Sequence, residues 1–151
     1  MIVLGSDHGG LELKEAVKAT LVARGMAVDD YGTDNGDSVD YPDFAEKVAD
    51  AVSRGAASLG ILVCGTGIGM SIVANKFPGV RAALVTDEFM AQMAKEHNNA
   101  NILVLGGRVL SVKKALKMVN LWLDTAYAGG RHQRRLDKIA HVEATVRAGK
   151  L

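Results

Sequence analysis

Leu59-Gly60-Ile61-Leu62-Val63-Cys64-Gly65-Thr66-Gly67-Ile68-Gly69 is the stretch that decides the fold of this chain. Its first six residues form an almost continuous apolar run, the pattern of a strand buried on both faces of a parallel sheet. The run then breaks into a lattice of glycines. In open α/β sheets ligands bind beyond the carboxyl ends of the strands, where glycines let backbone N–H groups approach an anion. Cys64, the only cysteine in the chain, stands at that junction. A thiol there faces a ligand, although a free cysteine often serves only as a small buried hydrophobe, and the neighbouring residues decide between the two.

Outward from that stretch, strand-like apolar runs alternate with helical stripes along almost the whole chain, as in βαβ units that cover both faces of a parallel sheet. Ile2 to Ser6 predicts the first strand, and Met26 to Tyr31 a weaker second one. Leu13, Val17 and Leu21 keep helical spacing up to a stop at Gly25; Phe44, Ala45, Val48, Ala49 and Val52 do so up to Gly55. Between these stripes the polar stretch from Gly32 to Asp40 is long enough for a functional loop. Met70 to Lys76 predicts a short helix whose free N–H groups point at whatever lies above Cys64.

Val80 to Val85 and Ile102 to Leu105 predict further buried strands, separated by a helix from about Glu88 to His97 that Asn98-Asn99 can close with a left-handed cap. Ser111 is placed to cap a helix whose apolar positions run from Val112 to Leu123 and keep their spacing up to Gly129-Gly130. From Arg131 onward the text turns basic and only a narrow apolar stripe remains, Leu136, Ile139, Ala140, Val142 and Val146. Such a helix is expected to pack across a subunit boundary. The expected fold is α/β: a three-layer, Rossmann-like sandwich with a parallel sheet of about five strands, one domain over 1–151, and a helical tail from about 131.

Composition sets the outer bounds. With 151 residues, 48% hydrophobic and 23% charged, the chain fits one α/β domain. Its 18 basic and 17 acidic residues leave a net charge of +1, so no global field argues for nucleic acid or an anionic membrane. A lone cysteine forms no internal disulfide and suits a reducing compartment. The start Met1-Ile2-Val3-Leu4-Gly5 lacks a basic leader followed by a long apolar stretch, so a cytoplasmic location is expected.

Several polar groups could carry chemistry near the strand ends. Asp7-His8 follows the first strand, Cys64 and Thr66 the third, and Arg108 the fifth; His97-Asn98 closes the helix that leads into the fifth. Convergence on one edge of the sheet is the expectation. Each residue also has a plain structural reading: Asp7 as a helix cap, Thr66 as a turn residue, His97 as cover for the core edge or complement to the helix dipole. Capping and packing would need a separate accident for each, whereas a site needs one cause. Arg131 and Arg135 are four apart, on one helix face beside His132, and two guanidinium groups at that spacing can grip a phosphate or carboxylate. A solvated basic face is the alternative.

Nucleotide readings fare poorly. The glycine string is not the G-x-G-x-x-G fingerprint and follows the third strand instead of the first; Asp29 and Asp30 imitate the ribose-binding acid without it. No Gly-Lys-Ser/Thr of a P-loop occurs. Asp7, His8, Cys64 and His97 could ligate a metal, but they show no short paired spacing and are of mixed softness. No metal is expected.

Taken together, Gly5-Ser6-Asp7-His8-Gly9-Gly10, Asp40-Tyr41-Pro42, Cys64-Gly65-Thr66-Gly67-Ile68-Gly69, Ala74-Asn75-Lys76, His97-Asn98, Gly106-Gly107-Arg108-Val109 and Gly129-Gly130-Arg131-His132-Gln133 with Arg135 resemble the B-type ribose-5-phosphate isomerases, the family that also holds the galactose-6-phosphate isomerase subunits. The resemblance spans nearly the full chain. It implies a cofactor-free aldose–ketose isomerase, a homodimer or dimer of dimers with active sites shared between subunits. On this resemblance Cys64 is the general base that moves a proton between carbons 2 and 1. Thr66 and the amides of Gly65, Gly67, Ile68 and Gly69 stabilise the enediolate. His97 opens the furanose ring with help from Asp7; His8, Arg108, Arg131 and Arg135 hold the phosphate; Asn98 and Tyr41 contact sugar hydroxyls or shape the pocket. Family members that use a glutamate just after the glycines have it where this chain has Met70, which takes no proton. Two rival readings remain: an isomerase of a hexose 6-phosphate such as allose or galactose 6-phosphate, and a non-catalytic phosphosugar-binding module.

Overall fold

The computed structural model describes residues 1–150; the last residue of the expected tail lies outside them. Five strands, β1 (Ile2–Ser6), β2 (Val28–Asp30), β3 (Leu59–Cys64), β4 (Ala82–Leu84) and β5 (Ile102–Gly106), form one parallel sheet in the order β2-β1-β3-β5-β4. Six helices connect and flank them: α1 (Leu11–Ala23), α2 (Tyr41–Ser53), α3 (Ile68–Ala74), α4 (Glu88–Glu96), α5 (Val112–Asp124) and α6 (Arg131–Arg147). A short 3₁₀ turn, His8–Gly10, joins β1 to α1. The three-layer, Rossmann-like α/β architecture is therefore as read from the sequence.

Strand alternation builds two cores, one on each face of the sheet. Leu4, Ile61, Val63, Leu103 and Leu105 pack with Leu13, Val17 and Leu21 of α1, Ala91 and Ala94 of α4, and Met118 and Trp122 of α5. Val3, Leu62, Ile102 and Val104 pack with Ala45, Val48 and Val52 of α2 and Met70 and Ala74 of α3. Cys64, two residues beyond Leu62, belongs by the same alternation to this second face. Register then fixes what lies level with it: Ser6 pairs with Val63, and Cys64 with Gly106. The ends of β1, β3 and β5 thus share one edge.

Five elements differ from the expectation in their bounds, each for a local reason. The strands β2 and β4 are only three residues long and half-buried, because as edge strands they pair on one side only. Helix α3 starts two residues early, since Gly67 adopts a left-handed conformation (φ 82°) that turns the chain directly into it. Helix α2 begins at Tyr41, with Pro42 in the first turn where its missing N–H costs nothing. The helical spacing after Ser111 does not carry through to Gly129: α5 stops at Asp124, where Thr125 is extended. The caps came out as expected, with the Ser111 hydroxyl accepting the Lys114 N–H at 3.2 Å and Asn99 at φ 44°.

Candidate active site

Backbone geometry brings the β1, β3 and β5 ends into one cluster. The Gly107 N–H donates to the Cys64 carbonyl at 2.7 Å, and the Arg108 N–H to the Gly65 carbonyl at 2.9 Å, so the turn after β5 lies on the turn after β3. A side chain at Gly106 would meet the Thr66 carbonyl at 2.7 Å, which is why this crossing requires glycine. Arg108 reaches back over both turns: a Cβ added at Gly65 would stand 3.4 Å from its Nη1, and one added at Gly9 3.4 Å from its Nη2 and 3.4 Å from Asp7 Oδ1. The Asp7 carboxylate and the Arg108 guanidinium therefore flank Gly9.

Cys64 is almost fully buried, and its Sγ accepts the Gly67 N–H at 3.1 Å. An amide donor stabilises sulfur most when the sulfur carries charge. The glycine segment is thus partly committed: the Gly67 amide serves Cys64, and the Ile68 amide donates to Thr66 Oγ1 at 3.2 Å. Neither is free for an enediolate as the resemblance implied. Asp7 does act as a cap, its Oδ1 accepting the Gly10 N–H at 3.1 Å, and it is buried at the same edge. His8 Nδ1 accepts the Val39 N–H at 3.1 Å, which leaves the ring proton of a neutral imidazole on Nε2. The polar loop between β2 and α2 is thereby fastened to the site. Tyr41, at the head of α2, lies against Gly69: a Cβ there would collide with its ring.

His97 and Asn98 do not join this cluster. Helix α4 runs back from the end of β4 to the start of β5, so its C-terminus lies at the amino edge, a strand length of about 16 Å away at 3.3 Å per residue. Arg81, just before β4, confirms the level, its Nε donating to the carbonyls of Asn98 at 3.1 Å and Asn99 at 3.2 Å. The expectation that all these groups converge on one edge within the chain is corrected here. The direction of α4 settles the matter.

At the amino edge His97 meets the head of α6. Its ring stacks on that of His132, centroids 4.2 Å apart and planes 15° from parallel. His132 is buried, and burial, followed by the charges of His97, Arg131 and Arg135, holds its pKa below the ordinary 6.5 against the opposing pull of Glu96. The sequence places His132 beside Arg131 and Arg135 but gives it no role of its own; the stacking on His97 becomes visible only when α6 is set against the end of α4. Helix α6 also packs on its own chain more than expected: Leu136 is buried and the Glu143 carboxylate accepts the Gly79 N–H at 3.1 Å. Beyond that, Ile139, Val142 and Val146 stay 51%, 50% and 55% exposed.

No ion pair among the described residues engages Arg108, Arg131 or Arg135, so these cations are available to an anion. The four residues weighed as metal ligands are not assembled, because His97 is at the other edge from Asp7, His8 and Cys64, and no group of three or more such side chains among the described residues could hold an ion. No helix among them is long and apolar enough to cross a membrane.

Fold and side chains together define a Rossmann-like α/β protein with Asp7, His8, Cys64 and Arg108 gathered beyond the carboxyl ends of the central strands. A family model described as Ribose/Galactose Isomerase matches residues 2–139, and the chain belongs to that family. It is 45% identical over 142 residues to ribose-5-phosphate isomerase B of Escherichia coli strain K12, covering 94% of this chain and 95% of that protein. The solved structure of Clostridium thermocellum ribose-5-phosphate isomerase B superposes with a TM-score of 0.94 at 51% identity, over 96% of this chain and 98% of that one. The Mycoplasma genitalium ribose-5-phosphate isomerase B structure, which has ribulose 5-phosphate bound, gives a TM-score of 0.92 at 45% identity, over 95% of each chain.

Proposed function

We propose that this chain is a single-domain, cytoplasmic isomerase that interconverts ribose 5-phosphate and ribulose 5-phosphate through an enediolate, without metal or cofactor. The observation that carries the mechanism is the Gly67 amide on Cys64 Sγ, within a cluster that also holds Asp7, His8 and an unpaired Arg108. In this reading the Cys64 thiolate takes the proton from carbon 2 of the open aldose and returns it to carbon 1. A second proton passes from the carbon 2 hydroxyl to the carbon 1 oxygen, so no atom is gained or lost. Thr66 and the remaining amides of Gly65 and Gly69 steady the charge that develops between those oxygens.

His97 protonates the furanose ring oxygen while Asp7 takes the proton of the anomeric hydroxyl, which opens the ring. Because these two residues lie at opposite edges of one sheet, the mechanism needs a second copy of the chain. We assign each site to the carboxyl edge of one protomer, with Asp7, His8, Tyr41, Cys64 and Arg108, and the amino edge of its partner. Arg131 and Arg135 then meet the phosphate from the far side, with Asn98 on a sugar hydroxyl. Phosphate binding far from the reacting carbons supplies positioning energy to the proton transfers.

A pentose is favoured over a hexose phosphate because the similar proteins described above are named for the pentose. The decisive assay is ribose 5-phosphate turnover with a chelator present, for the native chain and for Cys64→Ser. Turnover should survive the chelator and fall about a thousandfold in the variant, the range of a lost proton-transfer group, with phosphate affinity kept. A variant with native turnover would exclude Cys64 as the base; a native chain without turnover would leave the binding-module reading; loss of turnover to the chelator would bring a metal back.

A further inference from the structure

We infer that Lys14, on α1 and given no chemical role above, is a positioning residue that sets His8 through the β2–α2 loop. Lys14 is 1% exposed, on the face of α1 that also carries Leu13, Val17 and Leu21. A charge in that place is costly unless every donor is used. Its Nζ donates to Asp30 Oδ1 at 2.7 Å, Asp30 Oδ2 at 2.8 Å and the Thr33 carbonyl at 2.7 Å, with Glu15 at 3.2 Å.

These contacts lock the start of the loop onto the end of β1. Asp30 Oδ1 accepts the Gly32 N–H at 2.9 Å; the Gly32 carbonyl accepts the Ser6 N–H at 2.6 Å, and the Thr33 N–H donates to the Ser6 carbonyl at 2.7 Å. Ser6 immediately precedes Asp7-His8. At the far end of the loop, the Val39 N–H donates to His8 Nδ1. Residues 34–38 between these anchors are exposed, and their side-chain hydrogen bonds stay within the segment, Asn35 to Asp34 and Asp37 to Asn35. The loop therefore takes its place from its two ends. Lys14 sets one of them and His8 depends on the other.

An ordinary apolar residue would satisfy the core at this helical position. A buried ion pair contributes little net stability compared with well-packed hydrophobes, so its use here is the fixed geometry it gives to Thr33. Lys18 also pairs with Asp30, at 3.1 Å, and would keep that carboxylate compensated if Lys14 were replaced.

The test is Lys14→Met, read by imidazole ¹H–¹⁵N correlation spectra without substrate and by steady-state kinetics. In the native chain His8 should show one tautomer, with the proton on Nε2. In the variant that signature should average, and KM for ribose 5-phosphate should rise on the order of tenfold with kcat within about twofold. If Lys14→Met does not fold, Lys14→Met with Asp30→Asn removes both charges and is read the same way. Val39→Pro, which removes the N–H at the far end and also fixes φ there, should reproduce both changes. An unaltered His8 spectrum and KM in folded Lys14→Met, or in Val39→Pro, overturns the inference. The kinetic arm rests on the proposed isomerase activity; the spectrum does not, so a chain without turnover would defeat that proposal and leave this one standing on the spectrum alone.

Discussion

At the carboxyl edge of the sheet, Asp7, His8 and Cys64 each accept a backbone amide at 3.1 Å, from Gly10, Val39 and Gly67. At the amino edge, His97 is held by one stacked ring, and Arg131 and Arg135 project from the first turns of α6 without an ion pair among the described residues. The first edge fixes its side chains by main-chain geometry, which suits groups that must meet a reacting carbon within a few tenths of an ångström. The second keeps its cations exposed on a helix whose outer apolar stripe is uncovered, which suits groups that complete a site elsewhere. The contrast is what the proposed mechanism requires of a small chain whose topology keeps Cys64 and His97 apart.

A large break in that contrast should come from the two halves of the proposed phosphate clamp. Arg108→Ala and Arg135→Ala each remove a charge-assisted contact, and each should lower kcat/KM for ribose 5-phosphate by about ten- to a hundredfold. If only the carboxyl edge bound substrate, Arg135→Ala would be silent. A smaller effect tests the packing of the amino edge. His132 takes its proton less readily folded than unfolded, so as pH falls below 6.5 the unfolded chain binds protons first and stability declines. Denaturant titrations of His132→Phe, which keeps a stacked ring but cannot titrate, should show a flatter slope over that window; an unchanged slope would mean that His132 is not held neutral.

Much of this was legible in the sequence where one residue determines one local feature. The run into Cys64, the Ser111 cap, the Asn99 turn and the stripes of α1, α2 and α5 follow from side-chain period and backbone preference. Edge strands were overdrawn because their apolar text cannot reveal how many neighbours they pair with. His97 was placed at the wrong edge for a directional reason: the helix was read well, but its C-terminus returns to where strands begin. Lys14 went unnoticed because a lysine beside an apolar stripe ordinarily reaches solvent, and its partners Asp30 and Thr33 become neighbours only when β2 pairs with β1.

The shared site is tested most directly by co-expressing Cys64→Ser and His97→Ala chains. Each variant alone should fall to about a hundredth of native turnover or below. In mixed dimers one of the two sites receives both native halves, so random pairing should restore about one quarter of native activity. A mixture no more active than its parents would contradict a site built from the two opposite edges.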